Sequence, residues 1–315
     1  MNKRVLGGTG MEISVVGFGA WAIGGGGWEW GWGPQDDADS VAAIGRALEL
    51  GVNWIDTAPI YGFGRSEEVV GRTIKKMSDR PYIFTKCGLE GRNGIGVNEL
   101  KAEAIERQCE ESLKRLGVET IDLYQIHWPD PDEDVEEGWA ACVALLSAGK
   151  VRHIGVSNFD ISQLDRANVV ATVETLQPPY SLINRGIEDE ILPYCSRENI
   201  GVIAYSPMAS GLLTGAFDAE RVAALPGDDF RSHVEHFQEP KLSRNLAAVE
   251  RLRQVGEKHD ASPGAVAVAW VLRDPVVSGA IVGFRRFDQV GGILPAAAEL
   301  ELSAEEIAFI EGDSA

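Results

Sequence analysis

The chain is short of cysteine, of basic residues and of long apolar runs, and each shortage removes a class of function. Its four cysteines, Cys87, Cys109, Cys142 and Cys195, form no C-x-x-C pair and have no regular spacing. That excludes a disulfide scaffold and predicts reduced thiols in a cytoplasmic protein. Cys87 adjoins Lys86, so it reads either as a reactive thiol or as a small wall residue. Lys and Arg number 29 against 48 Asp and Glu, a net charge of −19. A surface this acidic is wrong for general nucleic-acid binding or for an anionic membrane. No stretch approaches the length of a membrane span, and the first residues lack the apolar core of a signal segment. We therefore expect no membrane partner.

What remains is a chain of 315 residues with an ordinary 44% hydrophobic content, enough for one large barrel or two common domains. Its organising stretch is Gly51-Val52-Asn53-Trp54-Ile55-Asp56-Thr57-Ala58-Pro59-Ile60-Tyr61-Gly62-Phe63-Gly64-Arg65-Ser66-Glu67. This reads as a strand ending on Asp56, then a Pro/Gly-broken loop carrying Tyr61. A helix then starts near Ser66, with Glu67 and Glu68 in its first turn. Two later β-rich runs end on chemistry as well: Pro81 to Gly88 on Lys86, and Ile121 to Pro129 on His127. Chemistry at successive strand ends is the pattern of a parallel α/β barrel. A free tyrosine has a pKa of about 10. A neighbouring ammonium favours its phenolate, an aspartate keeps that ammonium charged and aimed, and a histidine can orient a substrate oxygen. Together they make a proton relay for a carbonyl–alcohol pair.

These motifs resemble the signature of the aldo-keto reductases, over about residues 3 to 311, and most of all the bacterial and plant branch related to potassium-channel β subunits. The resemblance implies a (β/α)8 TIM barrel, closed at the bottom by an N-terminal β-hairpin, that binds a nicotinamide dinucleotide without a Rossmann fold; Arg285 and Arg286 point to NADP(H). It places the catalytic roles on Asp56, Tyr61, Lys86 and His127. Gly17-Phe18-Gly19-Ala20-Trp21-Ala22 does match G-x-G-x-x-A, but a Gly/Trp loop follows it rather than a helix, so the dinucleotide fingerprint fails. That loop, with Trp21, Trp28, Trp30 and Trp32, lies on the active-site face together with Trp128. Its flat apolar walls suit a sugar or aromatic substrate, or else cover the barrel mouth.

The remaining elements follow in order. Residues 3–6 and 11–14 read as the hairpin, and residues 15–19 as the first barrel strand. A helix runs from Asp37 to a cap at Gly51, and another from Glu67 to Lys76. Gly88–Gly96 reads as a loop, and Asn98 as the cap of a helix that reaches Leu116 before Gly117. The acidic tract 129–134 reads as a solvated entry to the next helix. Strands five and six exit on Ser157, Asn158 and Gln177, which suit a neutral amide; in the family these motifs hold the nicotinamide carboxamide. Strand seven leads to Tyr205, placed by the resemblance beside the nicotinamide ring. It continues into Ser206, Ser210, Gly211 and Leu212, whose backbone and hydroxyl groups would face the pyrophosphate, with Pro207 and Met208 in the same coenzyme-binding stretch. Ala216 stands where the family commonly has lysine.

Residues 216–240 are polar with little periodicity and read as a lid. His233 and His236 have H-x-x-H form with nothing nearby to complete a metal site, so no metal is expected. After the last strand, Gly283, Arg285, Arg286 and Gln289 fall at the usual barrel phosphate site, which the resemblance assigns to the 2′-phosphoadenosine. The arginines read otherwise as partners of Asp288 or Glu299. Gly292 and Ile293 depart from the family's adenine contacts.

With eight strands, helices between them and no linker, residues 1–315 read as a single barrel domain. Its expected activity is NADP-dependent hydride transfer between nicotinamide and a small carbonyl or alcohol. The alternative is a coenzyme-binding regulatory subunit with little turnover.

Overall fold

The chain begins with an antiparallel hairpin of β1 (Lys3–Val5) and β2 (Glu12–Ser14), Arg4 facing Ile13. In the computed structural model, which describes residues 1–75, 77–227 and 229–312, this hairpin sits under a closed parallel barrel. The barrel strands are β3 (Val16–Gly19), β4 (Trp54–Asp56) and β5 (Tyr82–Cys87). A second hairpin follows, β6 (Leu89–Arg92) with β7 (Ile95–Asn98). The barrel resumes with β8 (Ile121–Ile126), β9 (Val151–Ser157), β10 (Thr175–Gln177), β11 (Gly201–Ala204) and β12 (Val277–Gly283). The order β10-β11-β12-β3-β4-β5-β8-β9 closes on itself with every neighbour parallel. This is the (β/α)8 barrel that the sequence predicts.

The helices are α1 (Asp37–Glu49), α2 (Arg65–Ile74), α3 (Ala102–Leu116), α4 (Val135–Ser147), α5 (Ile161–Val170) and α6 (Ile191–Glu198), followed by α7 (Ala219–Ala223), α8 (Lys241–Lys258), α9 (Pro263–Leu272), α10 (Phe287–Gly291), α11 (Leu294–Glu299) and α12 (Ala304–Glu311). Among the described residues no helix is long and apolar enough to cross a membrane.

A strand's side chains alternate between its two faces, and the interior is layered accordingly. Trp54, Phe84 and Leu123 join Leu6, Met11 and Ile13 of the hairpin in one apolar floor. Two residues further along the same strands stand Asp56, Lys86 and Gln125, all buried. The floor is therefore dry and the layer above it polar. Trp54 fills the floor because glycine leaves room for it. A methyl group on Gly17 would lie 2.2 Å from the indole, and one on Gly279 2.9 Å from it. Its Nε1 donates to Ser14 O at 2.8 Å, fastening barrel to hairpin.

Three expectations change. Gly88–Gly96 is not a loop throughout, since β6 and β7 form within and beyond it. Asn93 and Gly94 turn between them with φ of 52° and 82°, and an Asn-Gly pair is a strong hairpin signal. Asn98 consequently lies in β7 and bonds Asp130 instead of capping a helix. The helix α3 starts at Ala102, whose N–H donates to Glu137 Oε1 at 3.1 Å. Finally, segment 216–240 has apolar anchors: Phe217, Phe230 and Phe237 are buried. The predicted helix end at Lys76, Asp228 of the lid and residues 313–315 of the predicted domain lie outside the described residues.

Candidate active site

At the C-terminal mouth of the barrel, the ends of β4, β5 and β8 converge. Lys86 Nζ donates to Asp56 Oδ1 at 2.5 Å, to Thr57 O at 3.0 Å and to the Tyr61 hydroxyl at 3.3 Å. Tyr61 reaches this point because its loop is pinned from below. Ser66 Oγ donates to Ala20 O and lies 2.8 Å from Thr57 Oγ1. The His127 ring stands edge-on to Tyr61, with centroids 5.9 Å apart, and its Nδ1 has no hydrogen-bond partner among the described residues. The four predicted catalytic residues thus come together.

Burial shifts the titration of Tyr61, Lys86 and His127. It pushes the Tyr61 phenol well above its ordinary value, and Asp56 adds to the effect. The sequence reading had Lys86 favouring the phenolate. In the folded chain burial and Asp56 both oppose the phenolate. Burial lowers Lys86, opposed by Asp56 and then by Glu67. It also lowers His127 well below the imidazole value, with Lys86 adding to the shift. A neutral imidazole beside a protonated phenol is a pair of hydrogen-bond donors facing one space.

Glu67 is more than a first-turn acid of α2. It is fully buried, accepts from Thr85 Oγ1 and from Arg115 Nε at 2.6 Å each, and braces α2 against β5 and α3. Sequence reasoning missed this, because its partners Thr85 and Arg115 are far away in the chain.

Next to the relay lie the exits of β9, β10 and β11. Ser157 Oγ donates to Gln177 O at 2.7 Å. Asn158, with a left-handed φ of 64°, donates from Nδ2 to His127 O at 2.9 Å and accepts from the Tyr205 hydroxyl at 2.9 Å. Gln177 Nε2 points inward to Asp56 Oδ2 at 2.8 Å and to Gln125 Oε1 at 3.2 Å. After Tyr205 the backbone is left-handed at Ser206 and, past Pro207, at Ala209, Ser210 and Gly211, with Met208 and the buried Leu212 in the same turn. Such turns gather N–H groups into an anion-binding concavity. A methyl built on Gly211 meets only Phe217 at 3.7 Å, and one on Gly283 only Gly19 O at 3.6 Å. Room at these two glycines, beside amide, aromatic and backbone donors, suits a nicotinamide dinucleotide.

At the exit of β12, Gln289 Oε1 accepts from the backbone N–H groups of Arg285 and Arg286 at 2.9 and 3.1 Å, capping α10. The two guanidinium groups differ. Arg286 is exposed and pairs with Asp288 at 3.0 Å. Arg285 is turned towards the Gly/Trp loop, where it bonds Gln35 Oε1 at 2.7 Å, Trp32 O at 2.9 Å and Pro34 O.

The predicted substrate wall is split. Trp21 stacks near Tyr61, its centroid 6.3 Å away. Trp21, Trp30 and Trp32 surround Phe230 of segment 216–240 at 4.9, 6.3 and 4.9 Å. Trp28 packs instead against Phe63, and Trp128 stands apart, partly exposed. Phe230 was not singled out from the sequence; its only signal was being one of three phenylalanines, with Phe217 and Phe237, in an otherwise polar stretch. Cys87 faces away from this mouth, buried 3.9 Å from Cys142, and burial raises its thiol far above the ordinary value. It is a wall residue rather than a reactive thiol.

Comparison with known proteins agrees with this geometry. The profile of the Aldo/keto reductase family matches residues 16–313. The aldo-keto reductase YhdN of Bacillus subtilis is 40% identical, over 90% of this chain and 84% of that protein. An Escherichia coli protein named NADH-specific methylglyoxal reductase is 32% identical, over 92% of this chain and 91% of its own length. The solved glycerol dehydrogenase of Gluconobacter oxydans is 40% identical and superposes with a TM-score of 0.87, covering 98% of this chain and 94% of that one. With the barrel and the sequence comparisons in agreement, the chain belongs to the aldo/keto reductase family of oxidoreductases.

Proposed function

We propose that the protein is an NADP(H)-dependent reductase that interconverts a small carbonyl and its alcohol, with Tyr61 as general acid and base. The observation that carries this reading is the 3.3 Å contact from Lys86 Nζ to the Tyr61 hydroxyl, within a buried relay ending on Asp56. When bound, the nicotinamide exchanges a hydride with the carbonyl carbon. Tyr61 gives its proton to the carbonyl oxygen in reduction and takes it back in oxidation. Lys86 stabilises the phenolate left behind, and Asp56 keeps Lys86 charged. His127, neutral in its buried setting, donates to the same oxygen and orients it.

Ser157, Asn158 and Gln177 are assigned to the carboxamide end and Tyr205 to the ring. The turn from Ser206 to Leu212 is assigned to the pyrophosphate, and Gly283 with α10 to the adenosine. The relative with methylglyoxal in its name is NADH-specific by that name, so a preference for NADP(H) has to rest on this chain's own residues. Arg286 supports it: an exposed guanidinium whose partner Asp288 is itself exposed can turn to a 2′-phosphate. Glycerol and methylglyoxal, named in two relatives, support a small oxygenated substrate held by the Trp21–Phe230 wall. We assign the protein to the cytoplasm, as one domain with segment 216–240 as its lid.

The test is turnover of purified protein with NADPH and NADH against a carbonyl and alcohol panel in both directions. Carbonyl-dependent oxidation of NADPH, faster than that of NADH, is the expected result. Tight coenzyme binding without turnover points instead to a regulatory subunit.

A further inference from the structure

The stretch from Gly24 to Gly33 holds six glycines, both ends included, so the Gly/Trp loop has little intrinsic order. Its shape depends on bonds from outside, and the described contacts concentrate them at its far end. Arg285 spends Nε, Nη1 and Nη2 on Gln35 Oε1, Trp32 O and Pro34 O. Gln35 answers by donating from Nε2 to Arg285 O at 2.8 Å. Arg65 adds a bond to Gln35 O at 2.5 Å. From Trp32 the contacts continue inward: its ring meets Trp21 edge-on at 5.3 Å, and Trp21 stacks near Tyr61. Trp21 Nε1 also holds Trp30 O at 3.1 Å. A residue at the coenzyme's adenosine end is thereby joined, through two tryptophans, to the catalytic ring.

We propose that Arg285 is a positioning residue for the substrate wall: it fastens Trp32, and through it Trp21, over Tyr61, and discrimination of the 2′-phosphate falls to Arg286. This deepens the function proposed above and rests on it for the identity of the coenzyme. The physical argument is one of competing partners. Turning Arg285 to a phosphate strips the carbonyls of Trp32 and Pro34 of a charged donor, and such bonds are stronger than neutral ones. Arg286 gives up only a solvent-exposed pair, which is worth little.

The experiment compares Arg285→Ala, Arg286→Ala and Gln35→Leu with the wild type. Acrylamide quenching of tryptophan emission is measured on the coenzyme-free protein. Dissociation constants for NADPH and NADH, and KM and kcat for a small and a bulky carbonyl, complete the set. Arg285→Ala is expected to increase quenching and to raise substrate KM by about tenfold, while changing the NADPH/NADH affinity ratio by less than about threefold. Arg286→Ala is expected to leave quenching of the coenzyme-free protein as it is and to lower that ratio by roughly tenfold. Gln35→Leu keeps the arginine and removes its partner, so it should reproduce the quenching and KM effects. It also decides the matter if Arg285→Ala does not fold. Wild-type quenching and KM in Arg285→Ala and Gln35→Leu, or loss of coenzyme discrimination in Arg285→Ala, overturns the proposal. Absence of turnover in the wild type removes the oxidoreductase reading but leaves the quenching arm to judge Arg285.

Discussion

Gln177 donates from Nε2 to Asp56 Oδ2 at 2.8 Å, on the carboxylate oxygen that Lys86 does not use. Asp56 is therefore held from both sides, by β5 through Lys86 and by β10 through Gln177. Gln125 adds only a long contact of 3.5 Å to the same oxygen.

Gln177→Leu conserves volume and removes that donor. A buried acceptor that loses its partner costs about 1–3 kcal/mol. Urea denaturation should show a loss of this size, with a reduced kcat as Asp56 and Lys86 lose alignment. Unchanged stability and kcat would mean that Asp56 is held by Lys86 alone.

Tyr61→Phe keeps the ring against His127 and Trp21 and deletes the proton. Loss of a positioned general acid costs about 10²–10⁴-fold in rate. Single-turnover kinetics should show this loss, with coenzyme affinity little changed. A rate near wild type would remove Tyr61 from the chemistry.

Lys86→Met leaves Asp56 buried without its cation. Breaking a buried pair from one side costs about 3–5 kcal/mol, so the variant should melt lower as well as lose activity. Oxidation should suffer more than reduction, because there the phenolate has to exist as the base. A variant with wild-type thermal stability contradicts the buried pair.

His127 gives stability a pH dependence whose sign is fixed by burial. Its folded pKa lies well below the ordinary value, while in the unfolded chain it is about 6.5. Between these values the unfolded state carries the extra proton. Stability therefore rises with pH through the window and falls as the solution is acidified below about 6.5, by at most about 1.4 kcal/mol per pH unit for one group. Denaturation of wild type and His127→Asn at neutral pH and in the acid window should show a shallower acid loss in the variant. Parallel curves would mean that His127 is not held neutral by the fold.

That Asp56, Tyr61, Lys86 and His127 meet was legible because strand alternation fixes which side chains face the barrel interior. Asp56 and Lys86 follow Trp54 and Phe84 by two residues, and that spacing is written in the chain. His127 comes directly after its strand, and Tyr61 sits in a loop whose Pro59 and Gly62 are themselves sequence signals. The hairpin turn at Asn93-Gly94 was legible too, although the stretch was read as a loop.

The aim of the long polar side chains was not legible. Gln177 and Arg285 stand at the strand exits where the sequence places them, yet one points into the relay and the other into a loop. Their partners lie 121 and 250 residues away, Asp56 for Gln177 and Gln35 for Arg285. Backbone periodicity determines the face from which a side chain starts. Where a flexible amide or guanidinium ends depends on which acceptors the closed barrel brings within about 3 Å of it, and only the tertiary structure decides that.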